Sequence, residues 1–547
     1  MFILAFALCM ALGYLAITSL WSQKKSIWSE SMIRISLTPG FGLAIFSVVF
    51  WLTRLSGNAH VVAFDVLLLI LLGFTYAVQR SRTTNEAPAK YTLSSRAKMN
   101  YPVFSGNSSQ SRDLASAPQS LDQGLLNTPE IKPPKWLARV STASFAIALI
   151  AALHRATLRV VAHPHGEGWD AFAIWNLHAR FLFLGGSHWR DGFNSMIPWS
   201  HPDYPLLLPA AIAHFWSYLG HDDPLVPAIV GLFFTFSTLA LLVSSLVSLQ
   251  GRNAGLLGGL ALASTPFFVE QGTSQYADVP LSFYILASFV LLHVASRHNS
   301  HLNLAPTMLS GMAAGFAAWT KNEGLLFVCS LLVAQVSHAV SNSRQQDSSP
   351  EFAGNWRTLA YSVLGAAPLL FLIGWFKHTI AIPGDLFSSP STMIQEILTP
   401  TRWWIISQWF AKELLRFGNW WIIPGTIAML AFYLVIFPRR KSESQPALRT
   451  SAMTLFLTLA GYFAIYLITP RDLYWHLRFS LNRLFLQLWP SAIFLFFLLV
   501  GRQLWPRSQI EPSPQNGKLS RNSPVPLDLR SNPCHNYSVH PDESGGV

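Results

Sequence analysis

Gly166-Glu167-Gly168-Trp169-Asp170-Ala171-Phe172-Ala173-Ile174-Trp175-Asn176-Leu177-His178-Ala179-Arg180 is the stretch on which the reading of this chain turns. It follows an apolar run at 137–158 and sets two carboxylates, Glu167 and Asp170, three positions apart. Phe172, Trp175, Ala179 and Phe183 then recur at helical spacing, so a short amphipathic helix should start here. Acids at the mouth of a membrane helix are costly unless they face water or a site. Asp170 reads either as a general base placed to take a proton from a hydroxyl, with Glu167 sharing that task, or as an N-cap for the helix that follows.

That reading presupposes a bilayer, and composition supplies one. The chain is 51% hydrophobic and 12% charged, with 20 Trp and 38 Phe; soluble domains carry about 25% charged residues. Apolar runs fall near 2–20, 39–53, 61–78, 137–158, 224–248, 254–269, 279–296, 304–320, 324–340, 358–380, 420–437, 451–469 and 484–501. Each is close to the length a bilayer needs, so an all-α polytopic membrane protein of about 13 transmembrane helices is expected. No basic residue precedes the run from Phe2 to Leu20, which favours a retained first span over a cleaved signal. Cys9, Cys329 and Cys534 form no CxxC pair and suggest no disulfide framework.

Lys24, Lys25, the Lys and Arg of 80–135, Pro438-Arg439-Arg440-Lys441 and the tail arginines mark cytoplasmic connections. The net charge of +12 belongs to these connections rather than to nucleic-acid binding. The segments 162–223, 270–278, 381–419 and 470–483 then lie outside, provided the Pro-rich 205–219 lies in the interface and does not cross. Residues 81–135 and 504–547 are polar and poor in large apolar groups, and read as a disordered cytoplasmic linker and tail. They bound a three-span amino-terminal unit, 1–80, and a ten-span core, 136–503.

On the outer side the sequence gathers further polar groups. His201-Pro202-Asp203-Tyr204-Pro205 ends the first outer loop and reads as a rigid turn or as a second part of a site. Tyr276-Ala277-Asp278-Val279-Pro280 puts an acid at a helix start, where a plain N-cap is the alternative. Thr320-Lys321-Asn322-Glu323-Gly324 separates two apolar runs with almost no loop. Lys321 and Glu323 must therefore lie at membrane depth or its edge, facing a polar cavity or neutralising each other. Arg471, Asp472, His476, Arg478 and Arg483 crowd the last outer loop against the positive-inside bias. Arginine forks suit phosphate oxygens, and snorkelling to lipid headgroups is the alternative. Arg155 and Arg159 share one helix face beside them. Trp403, Trp404 and Trp409 mark 381–419 as an interfacial helix. His163, His165, Glu167 and Asp170 match no closed zinc pattern, so no metal or other cofactor is expected. The chain has no Walker loop, GxGxxG, GxSxG or HExxH.

Together these residues resemble the GT-C superfamily of polytopic glycosyltransferases. The resemblance is to the bacterial family-39-like group, which includes protein mannosyltransferases, aminoarabinose transferases and Rgt-type lipopolysaccharide transferases. It covers roughly 136–503 and rests on Gly168-Trp169-Asp170, His201-Pro202-Asp203-Tyr204-Pro205, Tyr276-Ala277-Asp278-Val279-Pro280 and Thr320-Lys321-Asn322-Glu323-Gly324. It implies a GT-C fold with interfacial helices in the first extracytoplasmic loop, in a multi-pass bacterial inner membrane. It also implies a polyprenyl-phosphate-linked sugar as donor and an extracytoplasmic lipid, glycan or protein acceptor. The sugar would move in one inverting displacement, with Asp170 as base and Asp278 shaping the site. Lys321 and an arginine of 471–483 would neutralise the leaving phosphate, and Glu323, His201, Asp203, Tyr276, Arg471, His476, Arg478 and Arg483 complete the expected substrate-binding set. Where many members carry two adjacent acids, this chain has Asp170-Ala171, with Glu167 before them. A transporter or flippase for lipid-linked glycans is the alternative; it would place charges on both membrane faces, whereas these gather on one.

Overall fold

The computed structural model describes residues 1–21, 28–57, 60–85, 135–297, 304–343, 350–384, 390–420 and 446–501, and among them contains no strand. Ten of its helices are long and apolar enough to cross a bilayer. The protein is an all-α polytopic membrane protein. The expected linker (81–135) and the run at 420–437 fall almost wholly outside the described residues, and the tail (504–547) does so entirely.

The first three helices are α1 (Phe2–Leu20), α2 (Trp28–Leu55) and α3 (Val61–Asn85). Hydropathy catches only the second half of α2. Its first half carries Glu30 and Arg34, and the Arg34 guanidinium lies 4.6 Å over the Trp21 ring. Next comes α4 (Lys135–Ala162), then a π-turn (Ala171–Trp175) leading into α5 (Asn176–Leu184). Two 3₁₀ turns separate α5 from α6 (Leu207–Leu219), and α7 (Leu225–Gln250) follows. The run at 254–269 is not one span. Pro266 cannot donate the helical N–H, and the chain breaks at Ser264-Thr265 into α8 (Arg252–Ala263) and α9 (Pro266–Thr273). The rest are α10 (Asp278–Arg297), α11 (Ala305–Thr320), α12 (Asn322–Ser343), α13 (Pro350–Thr379), α14 (Pro390–Ile397), α15 (Pro400–Arg416), α16 (Pro446–Ile468) and α17 (Leu473–Gly501).

The helix α10 is the axis of the bundle: 89% of its apolar window is buried, against 11% for α3 and for α4, which face outward. Around it, α11 and α13 approach closely. A Cβ on Gly311 would strike the Ser362 carbonyl, and one on Gly365 the Met308 carbonyl, so small residues let these backbones touch.

The amino-terminal helices take part in this packing. Tyr284 of α10 donates to the Gly40 carbonyl of α2 at 2.7 Å, and Trp319 Nε1 of α11 donates to Ser47 Oγ of α2 at 3.0 Å. At the end of α2, Arg54 donates to the carbonyls of Leu182 (2.7 Å) and Phe183 (3.0 Å) and so fixes α5. Helix α6 is too short to cross, as expected, and the rest of the protein covers it. Its sequence is apolar nearly all round, and it is buried nearly all round. Its one His, His214, pairs at 2.8 Å with the buried Asp65 of α3. By contrast, α15 exposes most of its surface, including Trp403 and Trp404, and anchors through Arg402 to the carbonyls of Tyr466 and Thr469.

Candidate active site

Five charged side chains from distant parts of the sequence form one alternating chain: Asp170, Arg483, Asp278, Lys321, Glu323. Asp278 opens α10, where the positive end of the helix dipole favours a carboxylate. Arg483 lies about three turns into α17. Its Nη1 reaches Asp170 Oδ2 at 2.7 Å and its Nε reaches Asp278 Oδ2 at 2.8 Å. Lys321 is the single extended residue between α11 and α12. That elbow aims its ammonium inward, 3.0 Å from Asp278 Oδ1 and 2.8 Å from Glu323 Oε1. Gln487, one turn beyond Arg483, donates to Asp278 Oδ1 at 2.6 Å and accepts from the Tyr462 hydroxyl at 2.7 Å.

The chain has a floor and a mouth. The Asp278 side chain is wholly buried, whereas that of Asp170 is 22% exposed. The π-turn begins at the residue after Asp170, and such turns are frequent at functional sites. The wider turn also shifts register, so Phe172 parts from the buried face of Trp175 and Ala179. Trp169 and Phe172 are 56% and 50% exposed and pack on each other at 5.2 Å. Tyr276 forms the wall between the acids, with the Arg483 guanidinium 4.6 Å over its ring. Gly168, at φ 85°, clears the Tyr276 hydroxyl, which a Cβ there would strike. Burial first, and then the Asp170 charge, hold the Tyr276 phenol above its ordinary range.

His201 stands beside these groups with its ring stacked on Tyr204 at 4.5 Å. Burial and then the Arg471 charge lower its pKa against the opposing pull of Asp203 and Asp170, so the imidazole is neutral at pH 7. Asp203 turns away from the charge chain: its Oδ2 accepts from Asn322 Nδ2 at 2.6 Å, and its carbonyl accepts from Lys377 at 2.8 Å.

Other expected members sit apart. Glu167 pairs with Arg159, near the end of α4, and Arg155, one turn earlier, pairs with Glu270. Because Arg159 also donates to Thr273 Oγ1 (3.1 Å), Glu167 serves a polar lip between α4 and α9. His476 lies 3.0 Å from Thr469 Oγ1. Arg478 is exposed, its guanidinium 5.7 Å over the Phe479 ring. Among the described residues, no group of three His, Cys, Asp or Glu is arranged to hold a metal ion.

Gln487, Tyr462 and Lys377 escape sequence reasoning, and Asn322 enters it only as part of the motif around Lys321. The signal for Gln487 is a polar residue four places after Arg483, on the same face of an otherwise apolar run. The placement of Glu167 has a measurable consequence. Its half-exposed pair with Arg159 contributes little, so Glu167→Gln should change turnover by less than about threefold, a difference worth under about 1 kcal/mol. Initial rates of the variant in membranes check this.

A family model described as dolichyl-phosphate-mannose-protein mannosyltransferase matches residues 200–355. That segment contains the loop at 201–205, Asp278, Lys321, Asn322 and Glu323; Asp170 and Arg483 lie on either side of it. No curated protein and no solved structure matches the chain.

Proposed function

We propose that this chain, a membrane glycosyltransferase of the GT-C type, moves a sugar from a polyprenyl-phosphate donor to a hydroxyl on an extracytoplasmic lipid, glycan or protein by inverting single displacement. The observation that carries this reading is the single guanidinium of Arg483 bridging Asp170 and Asp278, with Lys321 on the far oxygen of Asp278. It puts a partly exposed carboxylate, the buried Lys321 and the largely covered Arg483 within one side chain's reach of each other.

In this reading the acceptor hydroxyl attacks the anomeric carbon. Asp170 gives one oxygen to Arg483 and takes the hydroxyl proton on the other. As the anomeric carbon–oxygen bond breaks, negative charge gathers on the departing lipid phosphate. Lys321 and Arg483 meet it with the N–H donors that their carboxylate partners leave over: an ammonium has three and a guanidinium five. Asp278 stays ionised and holds the two cations apart at fixed positions. Neutral His201 and Tyr276 line the sugar side. No metal is assigned a role, because the side chains themselves supply positive charge where the phosphate departs.

Sidedness is part of the proposal. The site lies at the end of the bundle where α2 and α4 finish and α10 and α12 begin. By sequence, Lys24, Lys25 and Pro438-Arg439-Arg440-Lys441 belong to connections at the other end, which favours an extracytoplasmic site in a plasma or bacterial inner membrane.

The test is to give proteoliposomes a panel of polyprenyl-phosphate sugars and follow release of free polyprenyl phosphate. Release with sugar transfer is expected. Passage of intact lipid-linked glycan across the bilayer without bond cleavage would replace this reading with the flippase. A further expected result concerns the cations: Lys321→Ala should raise KM for the donor more than KM for the acceptor. Steady-state kinetics with each substrate varied in turn would show the reverse if Lys321 served the acceptor.

A further inference from the structure

A second polar cluster lies beside the charge chain and is separate from it. Lys377, near the end of α13, donates to Asn322 Oδ1 and to the Asp203 carbonyl, both at 2.8 Å, and its Nζ lies 4.0 Å from Asp203 Oδ2. Asn322 in turn donates to Asp203 Oδ2 at 2.6 Å. Two helix ends therefore grip one residue of the first outer loop. Gly384, in the segment after α13, closes over the same carboxylate: a Cβ there would come within 3.1 Å of Asp203 Oδ2.

What that grip secures is visible two residues earlier. His201 is held at φ 52°, in the left-handed region that a residue with a Cβ keeps only when its surroundings impose it. The Tyr204 amide donates back to the His201 carbonyl at 2.9 Å, and the ring of Tyr204 stacks on His201 on one side and on Trp175, at 5.6 Å, on the other. Asn322 adjoins Lys321, so the loop is tied to the same elbow that delivers Lys321 to Asp278.

We infer that Lys377 and Asn322 are positioning residues: through Asp203 they hold the 201–204 turn so that the His201 ring faces the site. Neither touches the reacting atoms. Resting on the transferase reading, this turns Asp203 from a substrate ligand into the anchor of one. A lysine fits because one ammonium can bind two carbonyl oxygens and still lie near the carboxylate.

A double-mutant cycle on transfer activity tests the inference, using the full chain in liposomes with a polyprenyl-phosphate sugar from which the unsubstituted protein transfers. Lys377→Ala and Asn322→Ala should each lower kcat/KM about ten- to hundredfold, the loss expected when a site group is displaced by about an ångström. The double variant Lys377→Ala/His201→Ala should be no slower than His201→Ala alone, within about twofold, because the two act as one unit. Lys377→Arg should recover part of the loss. Independent, multiplying losses would overturn the inference, since a residue needed only for folding has no reason to couple to His201.

Hydrogen exchange decides the case apart from activity. In Lys377→Ala the amides of His201 and Tyr204 should exchange at least about tenfold faster while those of α10 do not change. Unchanged exchange at 201–204, or a uniform rise along the whole chain, would sink the clamp. If the native protein transfers no sugar from any donor, the transferase reading falls, and the exchange result alone judges the clamp.

Discussion

Asp278→Ala should destabilise the fold by about 3–5 kcal/mol, the range found when one partner of a buried ion pair is removed. Among the described residues, Asp278 is the only carboxylate shared by Lys321 and Arg483, and it also accepts from Gln487. Its removal leaves Arg483 with Asp170 and Lys321 with Glu323, and strands the Gln487 amide. Three donors then face a void where water cannot readily enter, because the side chain they lose is wholly buried. Asp278→Asn keeps the shape and one acceptor oxygen but removes the charge, so its loss should be smaller. Thermal unfolding of the purified variants in one detergent checks the order native, Asn, Ala. Equal midpoints would mean that the two cations find partners elsewhere.

Asp170→Asn should act on turnover and spare the fold. Asp170 lies at the mouth, 22% exposed, and Arg483 keeps its bond to Asp278 when Asp170 is neutralised. The unfolding midpoint should therefore stay close to native. In the proposed displacement Asp170 is the base; its amide replacement cannot accept the hydroxyl proton, and loss of a general base costs about 10²–10⁴-fold in rate. The contrast with Glu167→Gln matters, because the two acids stand three residues apart in sequence and only Asp170 reaches the charge chain. Turnover at saturating donor, compared for the two variants, separates them.

Much of this was legible in the sequence because charge is rare in apolar helices. Asp170, Asp278, Lys321 and Arg483 stand out as charges at the edges of apolar runs, and loop charge places them on one side. What sequence does not carry is pairing. Nothing in the spacing shows that one arginine bridges both acids, or that Glu167 is drawn to Arg159 by the end of α4. Hydropathy misplaced local structure for identifiable reasons. It saw an unbroken span through Pro266 where the helix must break. Helical periodicity sets Phe172 on one side with Trp175 and Ala179, and the π-turn leaves it half exposed while they are buried. The Asp203 clamp was hidden because Lys377 looks like an ordinary lysine closing an apolar run.

The most direct measurement is single-turnover transfer from a polyprenyl-phosphate sugar radiolabelled in the sugar, in membranes holding equal amounts of native or Asp170→Asn protein. The account predicts that the native chain moves label to acceptor at least about a hundredfold faster, with free lipid phosphate appearing in step. Transfer at the same rate by both proteins would contradict it.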